Sequence, residues 1–132
     1  MANIAKYFKR YGWSGVEVEQ GIWRSTFALE SEEDFDLYVL AVEDWVHFAV
    51  SPLLPRLADA DLARLQPVLL RLNQELRMAR LAVDADGDVN LLADLPLAKL
   101  SFPLFAQTLD LLTFYTSRLA VELRRTAVEP EY

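Results

Sequence analysis

A chain of 132 residues with 53% hydrophobic content is long enough to bury one core and too apolar to be disordered. Having no cysteine, it can build no disulfide, no thiolate metal site and no cysteine nucleophile. Its formal net charge of −7 repels a phosphate backbone, because lysine and arginine supply most nucleic-acid affinity, so direct DNA or RNA binding is not expected.

The first helix is predicted from Ile4, where Ile4, Tyr7, Phe8 and Tyr11 repeat at i, i+3, i+4 and i+7, with Asn3 as N-cap and Gly12 as terminator. Lys6, Lys9 and Arg10 fall between those positions, too few cations in an acidic chain to make a membrane-surface helix. The same charges interrupt any signal-peptide core, and no uncharged apolar run approaches the ~18 residues that span a bilayer. A cytoplasmic protein without membrane contact is the expectation.

Gly21 opens residues 22–29, a run rich in β-branched and aromatic side chains in which Trp23, Phe27 and Leu29 alternate with Arg24 and Thr26. This is the first predicted strand. Residues 30–34 form an acidic break, residues 35–42 a second strand, and residues 45–50 a third, with only Glu43 and Asp44 between the last two. Pro52 and Pro55 are expected to end the sheet section, since proline cannot donate to a central ladder.

The second and third strands are apolar on both parities. Phe35, Leu37 and Val39 mark one side, while Tyr38, Leu40 and Val42 occupy the other, and Val46, Phe48 and Val50 oppose Trp45, His47 and Ala49. A half-solvated strand alternates cleanly, so either the chain's own helices cover both sides of the sheet or one side meets a partner.

Residues 57–77 carry a helical apolar stripe through Leu62, Leu65, Leu69, Leu72 and Leu76, with Pro67 expected in a first turn or at a kink. A β-hairpin follows: residues 81–83 and 89–95 flank the acidic residues 84–88, and Asp86-Gly87 supplies the positive-φ position of a tight turn. Ser101 caps a final helix whose Phe105, Leu109, Leu112, Tyr115, Leu119 and Leu123 share a face, with Pro103 in its first turn and Arg124-Arg125 at its carboxyl end. Residues 129–132 are expected to be loose. The order is helix, three strands, helix, two strands, helix: an α+β fold in packed layers.

From Leu69-Leu70-Arg71-Leu72-Asn73, the chain continues to Met78-Ala79-Arg80-Leu81-Ala82-Val83-Asp84, then to Asp86-Gly87-Asp88-Val89 and to Leu95-Pro96-Leu97 before the capped helix. In these residues and in its element order it resembles the YbjN family, the bacterial sensory transduction regulators, which share the fold of type III secretion chaperones. The resemblance implies a twisted antiparallel five-stranded sheet flanked by helices, often homodimeric, holding another protein over apolar patches without catalysis.

Candidate sites weigh the same way. Asp84, Asp86, Asp88 and Asn90 alternate like calcium ligands, but an EF-hand loop needs Gly sixth and Glu twelfth, where this run has Gly87 fourth and Leu95 twelfth. A solvated turn is the reading, and neither a metal nor a cofactor is expected. His47 is the single histidine, read as a packed or partly exposed strand residue, with general-base work as the sharper alternative. No nucleophile elbow or phosphate loop is present, so an enzyme is not expected. Arg24, Thr26, Tyr38, Leu40, Trp45 and His47 should project together if the first three strands are neighbours, combining aromatic anchors with an arginine as interaction surfaces do. Plain core, homodimer interface and client groove all remain open for that surface. The alternative function is a small-molecule or enzymatic pocket around His47 and Trp45.

Overall fold

The computed structural model describes residues 3–128, and of Val128 the backbone alone. The predicted loose tail, residues 129–132, lies outside the described residues. The elements are α1 (Ile4–Tyr11), β1 (Val16–Glu19), β2 (Ile22–Ala28), β3 (Asp34–Val42), β4 (Trp45–Leu54), α2 (Asp59–Leu72), β5 (Arg80–Val83), β6 (Val89–Pro96), a 3-10 turn (Leu97–Lys99) and α3 (Phe102–Val128). All strand pairs are antiparallel, in the order β1-β2-β3-β4-β6-β5.

The α+β class with helices flanking an antiparallel sheet is as expected, but the sheet has six strands rather than five. The extra one, β1, precedes the first predicted strand, and all four of its residues are exposed. Its alternation of valine and glutamate offers no buried stripe to mark it. The Gly21 turn, at φ 80°, folds it back onto β2.

One parity of each central strand makes the core. Leu37, Val39, Val46, Phe48, Val50, Leu91 and Ala93 are almost wholly enclosed, and the helices lie over them. Phe105 of α3 is the centre of this layer, edge-on to Phe8 of α1 at 5.2 Å and tilted against Phe48 of β4 at 5.8 Å. Two polar ties fix the helices. The Tyr11 hydroxyl donates to Asp110, joining α1 to α3, and burial together with that carboxylate pushes the phenol far above its ordinary value. Arg124 near the end of α3 pairs with Glu33 in the β2–β3 connection.

The predicted caps form. The Asn3 side chain accepts from Lys6 N at 3.0 Å, Gly12 closes α1 at φ 94°, and Ser101 Oγ accepts from Leu104 N at 3.3 Å. Three boundaries differ from expectation. β4 runs on through Pro52 to Leu54, because Pro52 falls in a register break between Val50 and Leu54 where the ladder needs no donor. Of the two places expected for Pro67, a first turn or a point within the helix, it takes the second, inside α2. The helix itself starts at Asp59 and stops at Leu72, short of the predicted 57–77, because the Asn73 amide is taken by β5. Its Oδ1 accepts from Leu81 N at 2.7 Å, and its Nδ2 donates to Leu81 O at 3.1 Å, so one side chain pairs with the strand as another strand would.

Candidate partner-binding face

The helices cover one side of the sheet and leave the other open. Strand register places its residues in rows. Val16, Arg24, Tyr38, Ala49, Leu92 and Arg80 are aligned partners across all six strands. Beside them run a second row of Ile22, Leu40, His47 and Asp94 and a third of Val42, Trp45 and Pro96. The structure therefore brings Arg24, Tyr38, Leu40, Trp45 and His47 onto one face, with Thr26 alongside Asp36 and donating to its carboxylate at 2.8 Å.

Much of what solvent reaches on this face is apolar, beside the exposed Arg24 and Arg80. Trp45 is 47% exposed, Val16 57%, Val42 43% and Val18 41%, a group that accounts for half of the large exposed hydrophobic residues among those described. Tyr38, Leu40 and Ile22 are half-buried beside them. The other exposed apolar pair of note, Phe114 and Val121, lies on the outer stripe of α3.

One charged cluster interrupts the apolar rows. His47 Nδ1 is 2.5 Å from Asp94 Oδ1, and Arg80 Nη1 is 2.8 Å from Asp94 Oδ2. Burial alone would raise the Asp94 carboxyl, but the hydrogen bonds and charges of His47 and Arg80 outweigh it and hold the group below the ordinary carboxylate range. An ionised carboxylate only accepts, so the proton of a neutral His47 ring belongs on Nδ1. Sequence reasoning found His47 and missed its partners. The signal was the parity of β6, where Asn90, Leu92 and Asp94 alternate with Leu91, Ala93 and Leu95, but choosing a parity required knowing that β4 and β6 are neighbours.

His47 and Trp45, the pair of the alternative reading, line different grooves. His47 lines a shallow groove of ≈410 Å³ with Val18, Glu19, Ile22, Tyr38 and Leu40, whereas Trp45 lines a separate groove of ≈710 Å³ with Tyr7, Asp44, Pro96, Leu97 and Leu100. At the 84–88 turn, Asp84 Oδ1 accepts from the backbone of Asp86 at 2.9 Å and of Asp88 at 3.0 Å, and its Oδ2 accepts from Asn90 at 3.0 Å. The hydrogen bond from Asn90, and then those from the turn backbone, lower the Asp84 carboxyl. These oxygens are aimed at N–H donors, as a turn requires.

No protein-family model matches this sequence, and no curated protein matches it. Its fold is similar to solved structures. A chain of the ExsC-ExsE complex aligns over 90% of this chain and 89% of its own length, at TM-score 0.62 and 15% identity. A chain of the heterodimeric ExoU-SpcU complex, from the type III secretion system of Pseudomonas aeruginosa, aligns over 98% of this chain and 100% of its own length, at TM-score 0.63 and 20% identity. At those identities the likeness establishes the fold, the type III secretion chaperone-like arrangement.

Proposed function

We propose that this chain is a non-enzymatic, chaperone-like protein-binding module of the cytoplasm, whose open sheet face docks another polypeptide, in the first instance a second copy of the chain. The observation that carries the proposal is an open sheet face on which exposed apolar side chains, from Val16 to Trp45, stand among a few charges with no helix of its own over them. Both similar folds belong to complexes of two different proteins, which supports a holding role over chemistry. Kinship with the YbjN family is part of the same proposal and rests on the residues from Leu69 to Leu97 already named.

A second copy suits the face by charge. The chain carries −7, but on this face Arg24 and Arg80 stand among Glu19, Asp34, Asp36 and Asp94, so opposite charges are present for two copies to pair. Light scattering with circular dichroism tests the reading. The wild type is expected to give a dimer mass at micromolar concentration, and Trp45→Asp with Tyr38→Ala a folded monomer. Loss of two aromatic anchors should cost about 2 kcal/mol or more, roughly 30-fold in Kd. A wild-type monomer refutes self-docking, and an unfolded double variant shows that these side chains are core instead.

A further inference from the structure

We propose that His47 makes this docking pH-dependent: the face accepts a second copy of the chain while the imidazole is neutral and releases it when the ring is protonated. The inference rests on the self-docking reading above and adds its control.

The geometry assigns the nitrogen that is free to take a proton. With Nδ1–H committed to Asp94, protonation adds its charge at Nε2. Asp94 is already shared with Arg80. While His47 is neutral, the arginine and the carboxylate cancel and the cluster contributes no net charge to the face. Once the ring is protonated, the cluster carries one uncompensated positive charge.

The ring's immediate surroundings are largely apolar, with Glu19, Tyr38 and Ser51 the other polar side chains lining its groove. The aligned partner of His47 on β3 is Leu40, and Val18, Ile22, Tyr38 and Ala49 line its groove. The other ionisable groups there are Glu19 on the exposed β1 edge and the Tyr38 phenol, with Arg24 in the adjacent row. Among the described residues, Asp94 alone makes a hydrogen bond or ion pair with the His47 imidazole. In the free chain the His47 side chain is 41% exposed, so water solvates the charged ring. The same face of a second copy laid over it removes that water, and a desolvated charge is costly unless it is paired. In a two-fold pair the change occurs in both copies. Acid also neutralises carboxylates elsewhere and relieves self-repulsion, which would strengthen association, so the sign of the effect discriminates between the two causes.

Sedimentation equilibrium at about pH 8 and about pH 5.5 tests this. The wild-type dimer Kd is expected to rise at least ~10-fold at the lower pH. His47→Asn keeps a neutral donor for Asp94 and is expected to bring the ratio of the two constants near one, whatever its absolute affinity. A wild-type dimer with equal Kd at both pH values overturns the pH control and leaves the docking face standing. An unchanged ratio in His47→Asn assigns the dependence elsewhere and likewise overturns it. A monomer at both pH values overturns the docking reading itself.

Discussion

Replacing Asn73 with alanine tests whether one side chain holds the outer edge of the sheet. The substitution removes the acceptor for Leu81 N at 2.7 Å and the donor to Leu81 O at 3.1 Å, on a strand residue that is only 5% exposed. Two net hydrogen bonds are worth about 2 kcal/mol, and about 4 kcal/mol if the backbone groups are left unpaired. With a urea slope near 2 kcal/mol/M, the unfolding midpoint should fall by about 1–2 M. Amide exchange gives the local readout: protection of the Leu81 N–H should drop roughly 30-fold or more, ahead of the β3 and β4 amides. The effect should reach the open face, because Arg80 neighbours Leu81 on β5 and holds Asp94, which in turn holds His47. A midpoint shift below about 0.3 M at constant slope, with Leu81 still protected, would refute the clamp.

Two further outcomes follow from single residues. Folding favours the ionised form of Asp94, so its contribution is complete above the unfolded value of about 3.9 and is lost as pH falls through the lower folded value. Asp94→Asn should therefore lower the urea midpoint at neutral pH and flatten the acid limb below about pH 4, and an acid limb identical to wild type would contradict it. Among the glycines, Gly87→Ala should cost about 1–2 kcal/mol, from backbone strain at φ 85° with room around it, whereas Gly15→Ala should cost more, because its Cβ would overlap the buried Phe8 ring. Equal midpoints for the two variants in thermal unfolding would refute that ordering.

Much of this fold is legible in the sequence because its signals are local. Asn3 and Gly12 bound α1, Asp86-Gly87 makes the β5–β6 turn, and Ser101 starts α3, each through contacts within a few residues. What escaped depends on distant pairing. The end of α2 cannot be placed until Asn73 is known to reach Leu81, and the helical period continues past it through Leu76. β1 has no buried side to reveal it, and although the β3–β4 turn falls at Glu43-Asp44 as expected, its type, with Glu43 at φ 55°, has no glycine or asparagine to mark it. The candidate face shows the same division. Parity within β2, β3 and β4 places Arg24, Tyr38, Leu40 and His47 on one side, while Arg80 and Asp94 join them only through the adjacency of β4 with β6 and β6 with β5.

The two borders of the sheet carry different defences against unwanted growth. β5 is closed by an amide that imitates a neighbour, whereas β1, with no strand beyond it among the described residues, relies on Glu17 and Glu19 to repel an incoming strand of like charge. That second defence is electrostatic, so it weakens in strong acid or high salt, where the exposed valines become a template for fibrillar stacking. Purification and storage of this protein should therefore keep the glutamates charged.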